Sequence, residues 1–213
     1  MYLPAHFAEE RVPVLHEAIR SAGLATLVTA GPEGPEASHV PLLLDPGDGP
    51  LGTLRGHLAR ANPHWRTAAT DLPALALFLG PDAYVSPSWY PTKARTGEVV
   101  PTWNYLAIQA RGQLTFFEDP ERLLALVGRL TDLHEAGRPA PWAVGDAPGP
   151  YVAKLLKAIV GFELRIDRLE GKWKASQNRS AEDRAGVADG LERQGGEAAA
   201  AMAAMVRRGG AGG

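Results

Sequence analysis

The segment from Tyr84 to Tyr105 carries residue types that suit binding of a flat, anionic, aromatic ligand. It reads YVSPSWYPTKARTGEVVPTWNY and holds three of the chain's five Tyr and two of its five Trp. The rings offer stacking faces worth about 0.5 to 1.5 kcal/mol each beyond burial, while Lys93 and neighbouring hydroxyl and amide groups can bind ring carbonyls or a phosphate. A core of aromatic strands explains the pattern equally well. The segment by itself leaves both interpretations open.

A second candidate site is the segment GHLARANPHW, residues 56–65. His57 and Arg60 stand where a predicted strand ends, and Asn62 helps to break that strand. An arginine in such a place can bind a phosphate monoester through paired, charge-assisted hydrogen bonds, which contribute about 1.5 to 3 kcal/mol. The alternative is a surface arginine that caps a turn.

A third candidate is the segment EGKWKASQNRS, residues 170–180, which surrounds Trp173 with cations and amides. The polar members are Lys172, Lys174, Gln177, Asn178 and Arg179. Cations around an aromatic ring suit nucleic acid or one wall of an anionic-ligand pocket, and the amides favour the pocket because they can bind ring carbonyls. A solvated loop is the alternative.

Hydrophobic periodicity predicts the strands that position these groups. The predicted strands are Leu24–Thr29, Ala37–Leu44, Leu51–Leu58, Leu75–Phe78, Thr102–Phe117 (single, or bent at Gly112) and a final strand around Phe162–Ile166. The first two read as a hairpin, because a Gly- and Pro-rich turn joins them. Ser38 and His39 on this hairpin can approach the polar face of Leu51–Leu58, although a hydrogen-bonded histidine at a barrel edge is as good a reading of His39.

Three helices and a helical tail are predicted around the strands. The first runs from Ala8 to Ala22 and ends at Gly23. The second begins at Asp119 and Pro120, an N-cap followed by proline; its expected apolar stripe is Leu123, Leu124, Val127 and Leu130. The third spans Tyr151–Ala158. From Gly195 onward the Ala- and Gly-rich chain predicts a frayed helix and then a disordered end.

Composition excludes several classes of protein. The net charge of −2 offers no general attraction to nucleic acid or acidic membranes. The chain has no cysteine, which excludes disulfides, a thiolate nucleophile and thiolate metal sites. No signal-peptide pattern and no apolar run of about 20 residues is present, so a cytoplasmic protein without membrane association is expected. His134 and Glu135 lack the second histidine of a zinc-binding HExxH motif, so no metal is expected.

Taken together, the motifs resemble the PaiB family in collinear order from residue 1 to about 191. They are MYLPAHF, ASHVPLLL, GHLARANPHW, GPDAYVSPSWYPTK, VPTWNY, LTDLHE, PW at residues 141–142, IVGFE and GKWKASQNR. The resemblance implies one domain over residues 1–191 and leaves the tail, residues 192–213, outside it. The implied fold class is α+β, mainly β: an FMN-binding split β-barrel with flanking helices, related in fold to pyridoxine phosphate oxidase.

The resemblance also implies a homodimer with FMN at the subunit interface. His57, Arg60 and Asn62 are expected near the FMN phosphate, and Ser38 and His39 beside the flavin. The residues expected along the interface pocket are Trp89, Lys93, Trp103, Asn104 and Tyr105. The C-terminal motif contributes Lys172, Lys174, Gln177, Asn178 and Arg179. Haem or a deazaflavin is an alternative occupant of the same cleft.

Two functions from different classes follow. Members of the family are labelled negative transcriptional regulators, from effects on protease production and sporulation. Because the sequence has no helix-turn-helix signature and no basic stripe, any association with DNA is expected to be weak or indirect. The alternative is an FMN-dependent oxidoreductase or flavin reductase with a nicotinamide donor, in which a lysine among Lys93, Lys172 and Lys174 stabilises reduced flavin and His39 or His57 delivers protons.

Overall fold

A computed structural model describes residues 1–209, and within them the chain forms eight strands and seven helices. The strands are β1 (Ala8–Glu9), β2 (Leu24–Gly31), β3 (Gly34–Pro41), β4 (Leu43–Asp45), β5 (Thr53–Ala59), β6 (Ala74–Val85), β7 (Thr102–Phe117) and β8 (Ile159–Lys174). The helices are α1 (Val12–Ala22), α2 (His64–Thr67), α3 (Thr92–Thr96), α4 (Pro120–Glu135), α5 (Gly149–Leu156), α6 (Ala181–Gln194) and α7 (Glu197–Arg207). Among the described residues, no helix combines the length and hydrophobicity needed to cross a bilayer.

The strands pair in the order β3-β2-β6-β7-β8-β5-β4, and β1 pairs with β8. The predicted hairpin is confirmed: β2 and β3 are antiparallel, with Thr26 opposite His39. The predicted second strand of that hairpin is divided into β3 and β4 at Leu42, and β4 then pairs with β5 rather than continuing along β2. β5 also pairs with β8, with His57 opposite Gly161.

The described chain divides into two compact units. A central unit comprises Ile19–Phe78 and Ala110–Leu169, and a terminal unit comprises Met1–Ala18, Leu79–Gln109 and residues 170–209. The strands β6, β7 and β8 contribute residues to both units.

The central unit is organised by α4, whose predicted start is confirmed. Asp119 accepts a hydrogen bond from the backbone N–H of Arg122 at 2.8 Å, and Pro120 is the first helical residue. The buried face of α4 consists of Leu123, Leu126 and Leu130. Leu124 was predicted to belong to this face, but it is 44% exposed, because a residue one position after Leu123 is turned by about 100° around the helix axis.

Gly112 allows the single long strand β7 to pass close to its neighbour. A Cβ atom at this position would lie 1.7 Å from the carbonyl oxygen of Arg165 on β8. The predicted strand over Thr102–Phe117 is therefore continuous, and the glycine provides close approach of two backbones rather than a break.

The terminal unit contains the C-terminal helices, which pack more closely than a frayed tail would. The buried residues of α7 are Ala199, Met202, Ala203, Met205 and Val206. Arg207 near its end pairs with Asp189 and Glu192 of α6, with both distances at 2.8 Å. The predicted helix is confirmed, while the predicted disorder falls on residues 210–213, which lie outside the described residues.

Two predicted boundaries in the terminal unit are wrong. The first helix begins at Val12 rather than Ala8, because Ala8 and Glu9 pair with Lys172 and Gly171 of β8. Glu9 is buried and accepts hydrogen bonds from the backbone and guanidinium of Arg11, which stop the helix from starting earlier. The final strand is also longer than the predicted Phe162–Ile166, because β8 runs from Ile159 to Lys174 and includes the segment EGKWK.

Candidate functional site

Four of the predicted site residues line one cavity in the central unit. Ser38 and His39 come from β3, His57 from β5, and Asn62 from the turn that follows β5. The cavity has a volume of about 330 Å³, and none of the described residues that line it is acidic. We call it the polar cavity. Its hydroxyl, amide and imidazole groups are all able to donate hydrogen bonds to an anion.

Asn62 holds one end of this cavity through both atoms of its amide. Its Oδ1 accepts a hydrogen bond from the backbone N–H of His64 at 3.0 Å, which fixes the turn at the start of α2. Its Nδ2 donates to Oγ of Ser38 at 3.1 Å. The residue that ends β5 therefore also orients the hydroxyl on β3.

Behind Ser38 lies His64, a fully buried residue that the sequence interpretation did not single out. Its Nδ1 is 2.8 Å from Oγ of Ser38, and its Nε2 is 2.8 Å from Oγ1 of Thr29 on β2. Burial lowers the pKa of His64, and the charge of Glu36 offsets part of that effect. The only sequence signal was the histidine two residues after Asn62, a spacing typical of a turn that begins a helix.

The tautomer of His64 sets what Ser38 can offer to a ligand. The Ser38 oxygen already accepts a hydrogen bond from Asn62, so its own hydroxyl group donates either to Nδ1 of His64 or into the cavity. When Nδ1 of His64 carries the proton, Ser38 accepts from it and is free to donate to a bound anion. A neutral imidazole between two hydroxyls supports both arrangements without a buried charge.

The guanidinium of Arg60 forms hydrogen bonds and an ion pair within the chain next to the polar cavity. Its Nε donates to the carbonyl of Lys157 at 2.7 Å, a second guanidinium nitrogen donates to the carbonyl of Ile159 at 3.1 Å, and the third pairs with Glu118. In the single chain its guanidinium joins the turn after β5 to the segment before β8. A phosphate-binding role for Arg60 stays a prediction.

The two predicted cavity histidines differ in their surroundings. Nδ1 of His39 lies 3.0 Å from Oγ1 of Thr26 at an exposed position on the hairpin. Nδ1 of His57 is buried, and no described residue bonds to it. Burial lowers the pKa of His57. Of the two histidines, only His39 lies at an exposed position, and burial favours the neutral form of His57.

The terminal unit brings together a second set of predicted residues around Tyr105. Nζ of Lys172 lies 5.3 Å from the Tyr105 ring centre and donates to the carbonyl of Tyr2 at 3.0 Å. Nζ of Lys174 lies 6.0 Å from the same ring and donates to the carbonyl of Trp103 at 2.6 Å. Burial and then the charges of Lys172 and Arg179 lower the pKa of Lys174. This cluster of cations and aromatic rings suits an electron-rich or anionic ring system.

The predicted amides of the terminal unit form hydrogen bonds with other groups of the same chain. Asn104 is buried and donates to Oγ of Ser176 at 3.0 Å. Gln177 accepts from the backbone N–H of Ala175 at 2.7 Å and donates to the carbonyl of Trp173. Asn104 thus joins β7 to the turn that follows β8, and Gln177 stabilises that turn.

The remaining predicted residues lie around Trp89 and Tyr90. Arg179 lies over the Tyr90 ring, 4.9 Å from its centre, and Lys93 donates to Oγ of Ser88 at 3.0 Å. Trp89 packs on α6, where a Cβ atom at Gly190 would lie 2.3 Å from the indole ring. Asn178 belongs to the turn that leads into α6. The predicted site residues thus form one set in each unit.

Comparison with known proteins identifies a family whose model the sequence matches and other proteins of similar sequence or fold. The sequence matches the family model described as "Putative FMN-binding domain" over residues 1–168. It is 39% identical to an uncharacterized protein of Aspergillus fumigatus over an alignment that covers 97% of each chain. It is 31% identical to the Bacillus subtilis protein named Protease synthase and sporulation protein PAI 2, over 97% of this chain and 96% of that one.

Among solved structures, the FAD and heme binding protein of Mycobacterium smegmatis has a similar fold. The TM-score is 0.57 at 19% identity, and the alignment covers 88% of this chain and 79% of that one. At this identity the likeness concerns the fold alone. The predicted fold class, α+β and mainly β with the split-barrel arrangement and flanking helices, is confirmed.

Proposed function

Because the chain belongs to the FMN-binding domain family, as its PaiB-like motifs indicated, we propose that the protein binds FMN and holds the phosphate in the polar cavity. The observation that carries this proposal is the Ser38 hydroxyl, oriented by Asn62 and His64 beside two histidines in a cavity whose described lining is free of carboxylates. Hydrogen bonds from such donors to a phosphate dianion are charge-assisted and therefore stronger than bonds to a neutral group.

The donor set fits a phosphate better than a neutral or cationic group. Ser38, Asn62 and His39 can each donate a hydrogen bond, and none of them needs to change its charge to do so. The aromatic and cationic cluster at Tyr105, Lys172 and Lys174 supports the expectation that these residues belong to an interface pocket for an aromatic anion.

The visible absorption spectrum of the purified protein tests cofactor identity. We expect flavin absorption bands, and heat release followed by chromatography should yield FMN rather than FAD, haem or a deazaflavin. Ser38→Ala should lower the amount of retained FMN, whereas Thr70→Ala, which removes an exposed hydroxyl of the same unit, should not. A colourless protein that takes up no FMN on incubation would contradict the proposal.

We further propose a homodimer, supported by an exposed aromatic surface of the terminal unit. Trp103 on β7 is 54% exposed and meets the Tyr84 ring of β6 edge to face, with ring centres 6.1 Å apart. Leu79 on β6 is 71% exposed. Exposed aromatic and aliphatic groups of this kind are typical of the buried centre of a protein interface.

Sedimentation equilibrium at micromolar concentration tests the dimer. We expect twice the chain mass for the wild-type protein and a shift toward single chains for the double variant Tyr84→Glu, Trp103→Glu. Leu124→Glu, which changes an exposed residue of α4, serves as the matched control and should stay dimeric. A wild-type protein that sediments as a single chain would exclude this part of the proposal.

Negative transcriptional regulation, the function of the family label, is the biological role we propose for the FMN-bound dimer. The net charge of −2 makes direct, strong DNA binding unfavourable, so an indirect or weak association is expected. Electrophoretic mobility with promoter and scrambled DNA, repeated across salt concentrations, distinguishes the cases. Equal, weak retardation of both DNAs would exclude direct repression. The cytoplasmic location expected from the sequence stays a prediction that cell fractionation tests.

An oxidoreductase is the second candidate, and the environment of Lys174 favours it. Flavin would supply hydride acceptance from a nicotinamide donor, and positive charge held beside the ring would stabilise the negative charge that it gains. Lys172 and Lys174 supply two cations beside Tyr105. Anaerobic bleaching of the flavin by NADH or NADPH is the expected result for a reductase. If neither nucleotide reduces the flavin, this candidate is excluded.

A further inference from the structure

Three basic side chains of the terminal unit act on one another, two on β8 and one in the turn before α6. Lys172 and Lys174 are two residues apart on the strand, and their Nζ atoms lie 5.3 and 6.0 Å from the centre of the Tyr105 ring. Lys172 is only 8% exposed, whereas Lys174 and Arg179 are half-buried and reach solvent. Burial, and after it the charges of Lys172 and Arg179, lower the pKa of Lys174, so these cations repel one another. We call the three residues the basic cluster.

No acidic side chain within residues 1–209 forms an ion pair with the basic cluster, and two acidic residues nearby in sequence bind other groups. Glu170 pairs with the ammonium group of Met1 at 3.1 Å. Asp183 accepts hydrogen bonds from the backbone N–H and the hydroxyl of Thr92 at 3.1 and 2.9 Å. Cations that share a partly buried site without a counter-charge are unfavourable. The arrangement therefore favours an anion that comes from outside the chain.

The ammonium groups of the basic cluster keep hydrogen-bond donors for such an anion. Each ammonium has three N–H groups. Lys172 donates to the carbonyl of Tyr2 at 3.0 Å, while Lys174 donates to the carbonyl of Trp103 at 2.6 Å and to the hydroxyl of Thr102. Two N–H groups of Lys172 and one of Lys174 thus have no acceptor in the part of the chain that the structure describes.

We propose that the basic cluster binds the phosphate monoester of a nucleotide other than FMN. Such a phosphate carries a charge of about −1.5 to −2 at pH 7, which balances two of the cations, whereas a carboxylate or a phosphodiester carries a single negative charge. Arg179 adds paired donors that match two phosphate oxygens. The Tyr2 ring is 84% exposed and its centre lies 5.5 Å from Nζ of Lys172, so a nucleotide base can stack on it beside the phosphate.

This proposal rests on the proposed function in one respect. With the FMN phosphate in the polar cavity of the central unit, the basic cluster of the terminal unit is left for a second ligand. Two sources share the required chemistry. One is a free nucleotide, and the other is the 2′-phosphate of a nicotinamide dinucleotide, the donor class of the oxidoreductase candidate.

Isothermal titration calorimetry of the FMN-saturated protein tests the proposal with two pairs of probes that differ by one phosphate. The pairs are AMP with adenosine, and NADP⁺ with NAD⁺, oxidised so that the flavin is not reduced. We expect one phosphorylated probe per chain, bound at least about tenfold more tightly than its counterpart. Tighter binding of AMP than of NADP⁺ assigns the site to free nucleotides, and the reverse order assigns it to the dinucleotide. Equal affinities within both pairs, or no saturable binding at millimolar concentration, would overturn the proposal.

Variants locate the binding. Lys174→Met removes one charge but keeps a side chain of similar length, and we expect the affinity for the tighter of AMP and NADP⁺ to fall at least about tenfold. Lys154→Met, which changes an exposed lysine of α5 in the central unit, is the matched control and should leave that affinity unchanged. Thermal unfolding checks that each variant folds, and Arg179→Gln replaces Lys174→Met if the latter does not. Unaltered affinity in the folded variant would refute the assignment.

Competition with FMN separates this site from the proposed flavin site. One equivalent of FMN added to the flavin-free protein that holds AMP or NADP⁺ should bind without releasing the probe. Stoichiometric release of the probe would assign the basic cluster to FMN itself and overturn the proposal. Retained probe with no uptake of FMN would instead contradict the proposed FMN function alone.

Discussion

Nδ1 of His64 lies 2.8 Å from Oγ of Ser38, and both residues are buried at the back of the polar cavity. His64 follows a turn at the end of β5, whereas Ser38 is 26 residues earlier on β3. One imidazole thus links the turn, the hairpin and, through Thr29, strand β2. We infer that His64 is a positioning residue, which fixes the rotamer of a hydroxyl in the lining of the polar cavity.

Replacing His64 should lower the stability of the protein. In His64→Leu the hydroxyls of Thr29 and Ser38 lose their buried partner, and we expect the free energy of unfolding to fall by about 2 to 4 kcal/mol. Urea unfolding measures this change. His134→Leu, which alters an exposed histidine of α4, should change it by less than about 0.5 kcal/mol. A small effect at His64 would show that the two hydrogen bonds contribute little.

Asn62→Asp should weaken FMN more than riboflavin. The new carboxylate can still accept the hydrogen bond from the His64 backbone, so the turn is preserved. It places a negative charge in the cavity and removes the amide donor, so we expect FMN affinity to fall by at least about tenfold. Fluorescence titration with FMN and with riboflavin gives the comparison. Equal losses for both ligands would mean that Asn62 does not face the phosphate.

Stability should decrease in mild acid because of the buried histidines. Burial lowers the pKa of both His57 and His64 below 6.5, so the unfolded chain takes up protons at a higher pH than the folded one. The contribution of the two neutral histidines to the free energy of unfolding is complete above about pH 6.5 and is lost as the pH falls. The free energy of unfolding then decreases by at most about 1.4 kcal/mol per pH unit for each proton taken up.

Urea unfolding at pH 7, 6 and 5 measures this loss. The interval separates histidines from carboxylates such as Glu9, whose pKa the hydrogen bonds from Arg11 lower from 4.5. We expect His64→Leu to flatten the slope, because the variant lacks one of the titrating groups. An identical slope in the variant would assign the acid sensitivity to other residues.

Replacing Gly112 or Gly128 by alanine should change the stability of the protein in opposite directions. Gly112→Ala brings a Cβ atom against the carbonyl of Arg165, so we expect loss of more than about 3 kcal/mol or failure to fold. Gly128 lies within α4, and apart from the adjacent residues and the helix's own backbone no described atom lies within 4 Å of an added Cβ, so Gly128→Ala should stabilise the helix by about 0.5 to 1 kcal/mol. Thermal unfolding of both variants checks the pair. A well-folded Gly112→Ala protein would contradict the close approach of β7 and β8.

Local signals in the sequence were sufficient for most elements of the fold. Asp119 and Pro120 fixed the start of α4, and the alternation from Phe162 to Ile166 identified β8, because both patterns depend only on neighbouring residues. The start of α1 could not be read in this way. Its boundary depends on pairing of Ala8 and Glu9 with β8, more than 160 residues later.

Less of the candidate site than of the fold could be predicted from the sequence. The role of His64 depends on its hydrogen bonds with Thr29 and Ser38, and no local sequence pattern indicates that these three residues are in contact. The carbonyl partners of Arg60 likewise come from the Lys157–Ile159 region, about 100 residues away. The resemblance to a known family brought Ser38, His39, His57 and Asn62 together before any geometry was available, and the fold places all four around one cavity.

Recognition of a flavin phosphate by the polar cavity can be measured as a difference between two affinities. The most direct measurement is the dissociation constant of the flavin-free protein for FMN and for riboflavin, which differ by that phosphate alone. We predict that FMN binds at one molecule per chain and at least about tenfold more tightly than riboflavin. Equal affinities for the two flavins, or no binding of either, would contradict the account.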